Sequence, residues 1–255
     1  MSRGRSILLV VEGEKAEPAL MRRALEVYGI TDVDEVYSYG ANVYDLYRRM
    51  FEGADDAEDL SLTLVLRERE NDPDKRALLD REYSDIVLVF DFDPQDHLFS
   101  AEKLERMIGF FDESTENGKL YLNYPMVEAY RDLAAKPYDE TYRARSVSME
   151  ELASKTYKEA VGARSAIPQL DECSVLVFNQ MLLQNIEKAS GLVGCKFVVT
   201  DPLGQYDALS QDIILSAETK LLEVDDVVSV LCTCLWFVID YGPRRIAGYL
   251  RAVSA

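Results

Sequence analysis

Acidic residues follow two strongly apolar segments of the chain, and their positions suit the binding of a metal ion. Glu12 comes directly after the aliphatic run at residues 6 to 11 (SILLVV), where Gly13 allows the backbone to turn sharply. Asp91 and Asp93 follow the run at residues 85 to 90 (DIVLVF), and their spacing of two aims both carboxylates to one side of an extended segment. If the two runs are neighbouring parallel strands, three carboxylates converge where the strands end.

Clustered carboxylates repel one another and lose hydration, so such a cluster normally persists with a cation or a shared proton. Mg2+, or Mn2+ in its place, is the expected ion, because it prefers oxygen ligands, keeps several waters and bridges substrate phosphates. The alternative is that strand ends in an acidic chain are acidic without any function, since Asp-x-Asp alone is a short pattern that recurs by chance. Its combination with the strand-Glu-Gly element favours the metal site.

Composition restricts the chemistry further. The sequence has one histidine, His97, which excludes two-histidine zinc sites, so catalysis would have to rest on carboxylates. There are 46 acidic and 28 basic residues, a formal charge of -18, which excludes a protein that coats nucleic acid by bulk attraction. The four cysteines contain no Cys-x-x-Cys pair, and no signal peptide is recognisable, so we expect a cytoplasmic protein.

The longest apolar stretch, residues 227 to 239, is shorter than the roughly 20 residues that a membrane span needs. We expect it to lie in a buried helix at residues 225 to 240, with no membrane association. On such a helix Cys232 and Cys234 would point in different directions and would be poor zinc ligands.

The elements that must position the acids alternate between strands and helices in the first half of the chain. Apolar periodicity predicts helices from residue 16 to Gly29, around residues 43 to 50 and at 101 to 111, and a loop with a short helix at 67 to 82. This alternation favours an α/β fold with a mainly parallel sheet flanked by helices. The predicted strands are at residues 6–11, 34–39, 60–66, 85–90 and 119–123.

Beyond residue 125 the predicted elements are almost all helical. No linker rich in glycine, serine or proline separates the two halves, so we expect them to pack together. We therefore predict an α/β domain at residues 1–140 and a mainly helical subdomain or layer at residues 141–255, with a soft boundary. The predicted helices are at residues 149–161, 173–189, 208–222 and 225–240, and one short strand is predicted at 196–200.

The acidic motifs resemble a known fold family. The segment at residues 11–17 (VEGEKAE), followed later by a strand and Asp91-x-Asp93, is similar to the TOPRIM fold of topoisomerases, bacterial primases and nucleases of the OLD and RloB type. The closer resemblance is to small bacterial RloB-like proteins, whose VEGxxTE element has threonine where this chain has Ala16. Residues 123–128 (NYPMVE) are similar to their Asn- and Pro-containing segment before a glutamate, and the resemblance covers about residues 6 to 130.

The resemblance implies a metal-dependent phosphoryl-transfer centre that hydrolyses phosphodiester bonds of DNA or RNA. Glu12 matches the general acid/base or metal-bound glutamate of the family, Asp91 and Asp93 match its metal ligands, and Glu128 matches a further ligand. Some relatives act in antiviral defence and cut nucleic acid when an ATPase partner releases them. This chain has no Gly-x-x-x-x-Gly-Lys-Ser/Thr motif, so an ATPase would act as a separate chain.

Four residues beside these motifs are candidates for contacts with a phosphate or with metal-bound water: Lys15, Glu17, Asp96 and His97. Lys15 would neutralise a phosphate oxygen at the start of the first helix, or would pair with a neighbouring glutamate. Glu17 is an early-helix acid, which the helix dipole favours whatever the function. His97 follows Asp93 closely enough to reach a metal or a leaving group, or would remain solvated.

The sequence therefore predicts a Mg2+-dependent nuclease of a bacterial anti-phage defence system, controlled by a partner because its acidity weakens its own affinity for nucleic acid. The alternative is a catalytically silent TOPRIM-like sensor or protein-binding module, which the departure from the family pattern at Pro94-Gln95 favours. A third interpretation is a scaffold whose acidic face mimics nucleic acid. The fifteen tyrosines suit protein interfaces, so a homo-oligomer is a further expectation.

Overall fold

A mostly parallel five-stranded sheet forms the centre of the protein. The computed structural model describes residues 6–30, 33–52, 61–133 and 140–254. The strands lie in the order β2-β1-β3-β5-β4, and only the edge strand β4 is antiparallel to its neighbour. The predicted α/β class, with a mainly parallel sheet, is confirmed. The strands are β1 (Ile7–Val11), β2 (Val33–Ser38), β3 (Asp85–Asp91), β4 (Asp112–Glu113) and β5 (Gly118–Asn123).

The two central strands, β1 and β3, carry the continuous aliphatic sequences that burial on both faces requires. All five residues of β1 are buried, as are six of the seven in β3. Their parallel register pairs Val11 with Val89, and the backbone N–H of Glu12 donates to the carbonyl of Val89 at 3.1 Å. The carboxyl ends of the two strands are therefore adjacent, which is the condition for the three predicted carboxylates to converge.

Helices flank the sheet, and several of those in the first half begin at residues that favour the start of a helix. Asn42, Asp72 and Ser100 each accept a hydrogen bond from a backbone N–H of the first turn that follows, and Pro73 occupies a first-turn position. The helices predicted from residue 16, around 43 to 50, within 67 to 82 and at 101 to 111 are confirmed. These helices are α1 (Ala16–Val27), α2 (Val43–Phe51), α3 (Leu62–Arg69), α4 (Pro73–Leu79) and α5 (Ala101–Phe110).

The strand predicted at residues 60 to 66 is wrong: Leu60 lies outside the described residues, and the rest begins helix α3. Leu62 and Leu66 are buried, four residues apart on one helical face, while Leu64 is 60% exposed. A short apolar run does not distinguish a strand from one face of a helix. Here Leu62 and Leu66, one turn apart, are buried on the same face of a helix.

The second half combines helices with a small two-stranded sheet. The helices predicted at 173 to 189 and 208 to 222 are confirmed as α9 and α10, whereas the one predicted at 149 to 161 is divided into α7 and α8. Residues 196 to 200 form no strand. The elements are α6 (Glu140–Arg143), β6 (Ser146–Ser148), α7 (Met149–Ala153), α8 (Tyr157–Arg164), α9 (Val175–Leu192), α10 (Gln211–Asp225), β7 (Val227–Ser229), α11 (Phe237–Tyr241) and α12 (Pro243–Ser254).

The single helix predicted at residues 225 to 240 is also wrong. Asp226 adopts a left-handed conformation (φ 56°) that ends α10, and the β-branched residues after it form β7, which pairs with β6. A short 3-10 turn, Cys234–Trp236, precedes α11. Within the described ranges, no helix is both long enough and apolar enough to cross a membrane.

The two halves pack directly against each other beside β5. The backbone of Tyr124 exchanges two hydrogen bonds with Leu231, at 2.8 and 2.7 Å. The Thr233 hydroxyl donates to the carbonyl of Leu122 at 2.6 Å, and the side chain of Gln211 accepts from the N–H of Leu122 at 3.2 Å. Strand β5, the neighbour of the strand that ends at Asp91, is thus held in place by hydrogen bonds from the C-terminal half. The predicted boundary near residue 140 adjoins residues 134–139, which lie outside the described residues.

Candidate active site

A pocket of about 950 Å³ lies where β1 and β3 end. Five carboxylates from both strand ends, from α1 and from the turn after β5 line it, so the structure brings together all the acids predicted as catalytic or metal-binding residues. Leu152, Ala153 and Tyr157 of the C-terminal half also line the pocket. The acids are Glu12, Glu17, Asp91, Asp93 and Glu128.

Asp91, which is buried, and Glu12, which is partly buried, form the centre of this cluster. The Glu12 carboxylate accepts a hydrogen bond from the backbone N–H of Asp91 at 3.1 Å. The Asp91 side chain is 6% exposed, and its Oδ1 has no hydrogen-bond partner among the described residues. Burial, followed by the charge of Asp93, raises the pKa of Glu12 to about 8. Burial and the charge of Glu12 raise the pKa of Asp91 well above its usual range, so the pair needs a proton or a cation at neutral pH.

Asp93 is held in an uncommon backbone conformation. Its φ is +40°, in the left-handed region, where residues other than glycine are infrequent. The backbone N–H donates to the carbonyl of Pro125 at 3.2 Å, and the carboxylate accepts from the Gln95 amide at 3.0 Å. Burial raises the pKa of Asp93 as well. Strained residues that their surroundings hold in place are concentrated at functional sites, which fits the position of Asp93 beside Asp91.

Glu17 is buried against Gly13. Its side chain is only 5% exposed, and a Cβ atom added to Gly13 would lie 2.8 Å from Oε2 of Glu17. Burial, aided by the charge of Glu128, raises the pKa of Glu17. The spacing of Gly13 and Glu17 therefore has a steric basis, because only a residue without a side chain leaves room for this carboxylate at the pocket.

Glu128 lies in the 3-10 turn Val127–Arg131, and its carboxylate meets a lysine that the sequence did not identify. Nζ of Lys158, on α8, is 3.2 Å from Oε1 of Glu128, while Oε2 has no hydrogen-bond partner in the described part of the chain. Partial burial lowers the pKa of Lys158, but Glu128, Asp91 and Asp93 outweigh this effect and raise it. No local motif marks Lys158, because long-range packing brings it to the pocket.

The other candidates have different surroundings. Lys15 is exposed and lines the pocket. Asp96 and His97 do not line it. The Asp96 carboxylate accepts from the Asn42 amide at 2.7 Å and from the N–H of Leu98 at 2.8 Å, so it fixes the loop to the start of α2. The side chain of His97 is 85% exposed and lies 3.4 Å from Asp96.

The donor chemistry of the pocket fits a hard divalent cation. Five carboxylates line it, and one oxygen each of Asp91 and Glu128 is buried without a partner in the described ranges. Among the described residues, no three acidic, histidine or cysteine side chains already form a group that could hold a metal ion. Mg2+ usually keeps several waters and takes only one or two protein carboxylates, so its binding does not require such a group.

The cysteine pair differs from the sequence-based expectation. Cys232 and Cys234 lie before and at the start of the 3-10 turn rather than on a continuous helix, and their sulfur atoms are 3.5 Å apart. Residues two apart on a non-helical segment can share one side, which explains the difference. Both side chains are fully buried, and neither lines the acidic pocket.

No family model, curated protein or solved structure matches this chain.

Proposed function

We propose that this protein is a metal-dependent nuclease that hydrolyses phosphodiester bonds of DNA or RNA. The observation that carries the proposal is the adjacency of Asp91, which is buried, and Glu12, which is partly buried; both carboxylates have raised pKa values and lie at the ends of neighbouring parallel strands. They open into a pocket large enough for a nucleotide unit. Buried acids without a full set of partners are unfavourable for the fold alone, so their presence supports a role in binding a cation.

The order of the elements supports the proposed membership of the TOPRIM fold, in its RloB-like group. A buried parallel strand ends in Glu12-Gly13, a helix follows, and an adjacent parallel strand ends in Asp91-x-Asp93. Glu128 lies on the turn after β5, the strand on the other side of β3. This arrangement is what the motif resemblance implies.

Each acid has a proposed role. Asp91, Asp93 and Glu128 would hold Mg2+ or Mn2+, which supplies Lewis-acid polarisation of the scissile phosphate and activation of the attacking water. Glu12, with a pKa of about 8, would accept a proton from that water or return one to the leaving oxygen at neutral pH. Glu17 would accept hydrogen bonds from water at the pocket wall, and Lys15 would contact a phosphate at the rim.

The strong negative charge supports control by a partner. A chain with a formal charge of -18 repels nucleic acid at long range, so its own affinity would be weak and a basic or ATP-driven protein would strengthen the association. We propose a cytoplasmic bacterial anti-phage system as the setting, with an ATPase as a separate chain. Self-association of the protein is a further part of this proposal.

A calorimetric titration with Mn2+ tests the proposal, followed by a cleavage assay on labelled single- and double-stranded DNA and RNA. The wild-type protein should bind Mn2+ and cleave at least one substrate, and Asp91→Ala should lose both. Cleavage that Asp91→Ala leaves unchanged would contradict the mechanism. Binding should be measured first, because it needs neither the partner nor the substrate.

A catalytically silent sensor is the second candidate. One observation favours it: Pro94 and Gln95 follow Asp93, where the chain departs from the pattern of the family that it resembles. Such a module would bind a ligand in the pocket without turnover. The cleavage assay distinguishes the two functions. In the presence of Mn2+ and nucleic acid a nuclease releases cleaved strands, whereas a sensor does not.

A further inference from the structure

Two lysines of the C-terminal half, Lys155 and Lys158, line the same pocket as the carboxylates. Lys155 lies at the junction of α7 and α8. Its backbone N–H donates to the carbonyl of Leu152 at 3.0 Å, and the N–H of Thr156 donates to that of Glu151 at 3.2 Å. This pair of bonds is the Schellman motif, in which the residue in the position of Lys155 has a left-handed backbone and is usually glycine.

Lysine at this position is unfavourable for the fold. Its φ is +60°, which places Cβ close to the following carbonyl oxygen. The side chain is exposed, and it makes no hydrogen bond or ion pair with any described residue. Glycine would form the same helix end without this strain. Since no contact offsets the strain, the side chain itself must supply the advantage, and it lines the acidic pocket.

The comparison with other left-handed residues supports this interpretation. Among the described residues that are not glycine, three have a positive φ: Asp93, Lys155 and Asp226. Asp226 ends α10 and does not line the pocket, whereas Asp93 and Lys155 both do. Two of the three strained positions thus carry charged side chains of opposite sign to one pocket.

Lys158 supplies the second positive charge of this wall. Its ammonium is 3.2 Å from Glu128, yet the side chain remains 60% exposed. A metal bound to Glu128 would take over the neutralisation of that carboxylate, and the ammonium would then be available to an anion. A cation held by the acids and the two lysines that line the same pocket would together bind a phosphate.

We propose that Lys155 and Lys158 bind the phosphate groups of a nucleic-acid strand and hold its scissile phosphodiester against the carboxylate side of the pocket. This inference rests on the proposed nuclease function and assigns substrate binding to the junction of α7 and α8. Tyr157 lies between the two lysines in the sequence and also lines the pocket.

The test uses Lys155→Gly and Lys158→Met, with fluorescein-labelled 20-nucleotide single strands of DNA and RNA as probes and Ca2+ present in place of Mg2+. Each substitution should weaken binding by about three- to tenfold and lower the slope of log affinity against log salt by about 0.7, as expected for one lost phosphate contact. Lys155→Gly should also raise the Tm by roughly 2 to 4 °C, because the strain is removed. Adenosine monophosphate should compete weakly with the strand.

Two matched variants serve as controls. Asp226→Gly relieves the other left-handed helix end and should raise the Tm without weakening binding. Lys220→Met removes an exposed lysine of α10 and should change neither the affinity nor the salt slope. A rise in Tm together with a loss of binding is expected for Lys155→Gly alone, and a purely structural role would not produce this combination.

Unchanged affinity and salt slope in both Lys155→Gly and Lys158→Met would overturn the inference. If Mn2+ still bound to the wild type and not to Asp91→Ala, the proposed metal site would survive that result. Adenosine monophosphate that bound as tightly as the 20-nucleotide strands would overturn the strand as the ligand. A wild type that bound neither Mn2+ nor oligonucleotide would overturn the proposed function itself.

Discussion

Nζ of Lys158 lies 3.2 Å from Oε1 of Glu128, and the two residues come from opposite halves of the chain. Glu128 follows the sheet strand β5, whereas Lys158 is on α8 of the mainly helical half. The charge of the acidic pocket is therefore balanced in part by a residue outside the predicted α/β domain. Any movement of α8 would change the electrostatics at Glu128, and through it at Glu17, whose pKa the charge of Glu128 raises.

Asp91→Asn should weaken Mn2+ binding and stabilise the metal-free protein. The substitution keeps the volume of a buried side chain and removes an ionisable group whose charged form is disfavoured by burial and by the charges of Glu12 and Asp93, so the metal-free protein should gain stability at pH 7.5. Mn2+ affinity should fall at least about a hundredfold, because the negative charge of a proposed ligand is lost. Calorimetry and thermal unfolding measure the two effects.

Asp85→Asn is the matched control for that prediction. Asp85 is the buried aspartate at the other end of β3, where the hydroxyls of Ser84 and Ser114 donate to its carboxylate. Its substitution should lower stability, because those bonds are weakened, and should leave Mn2+ affinity unchanged. An Asp91→Asn protein with wild-type affinity for Mn2+ would remove Asp91 from the proposed site.

Glu12 should make the metal-free protein less stable as the pH rises. Its folded-state pKa of about 8 is above its value in the unfolded chain, so the native state binds the extra proton between the two. The stabilisation is complete below the unfolded pKa and is lost as the pH rises through about 8. It amounts to on the order of 2 kcal/mol, after allowance for coupling to Asp91 and Asp93.

The measurement is the Tm in EDTA between pH 5 and pH 9, for the wild type and for Glu12→Gln. Lys188 has a pKa lowered to about 7, mainly by burial, and therefore contributes a slope of opposite sign above that pH. Its contribution is common to both proteins and cancels in their difference. The wild type should lose stability relative to Glu12→Gln as the pH rises, and parallel curves would contradict the prediction. Mn2+ affinity should increase over the same range, because ionisation of Glu12 adds a negative charge beside the proposed metal ligands.

The sequence was sufficient for the part of the site that depends on strand ends. Continuous aliphatic runs identify buried parallel strands, and residues directly after such strands lie at one edge of the sheet, so Glu12 and Asp91 could be assigned to that edge. That their strands are neighbours follows from the pairing of β1 with β3 in the structure. Asp96 shows the limit of this argument. It is close to Asp93 in the sequence, as a further metal ligand would be. Its carboxylate instead accepts hydrogen bonds from the Asn42 amide and the N–H of Leu98 and so fixes the loop.

The lysines of the pocket could not be predicted in this way. The positions of Lys155 and Lys158 depend on how α7 and α8 pack against the turn that carries Glu128, and such long-range packing has no local sequence pattern. The misassigned segments have a related cause. The run at residues 60 to 66 and the stretch at 225 to 240 are apolar enough for either a helix or a strand, and contacts with the rest of the protein decided between them.

Gly13→Ala should move the Glu17 carboxylate. The new Cβ would lie 2.8 Å from Oε2 of Glu17, so the flexible end of the glutamate would shift rather than the backbone. We expect a loss of stability of less than about 1 kcal/mol and a decrease in Mn2+ affinity of about three- to tenfold. Adding Glu17→Ala to Gly13→Ala should then have little further effect on Mn2+ binding. Additive losses in the double variant would show that Gly13 acts independently of Glu17.

Asn42→Ala and His97→Ala should separate the anchoring of the acidic loop from chemistry at its tip. The Asn42 side chain accepts from the N–H of Asp45 at 3.0 Å to cap α2, and its amide donates to Asp96, so its loss should cost about 1 to 2 kcal/mol of stability. The imidazole of His97 is 85% exposed. Its removal should therefore change both the unfolding equilibrium constant and the Mn2+ dissociation constant by less than about twofold. Thermal unfolding and calorimetry on both variants measure these effects. A large loss of metal binding or cleavage in His97→Ala would contradict this expectation. It would indicate that the loop closes over the pocket when the ligand binds and brings His97 into the site.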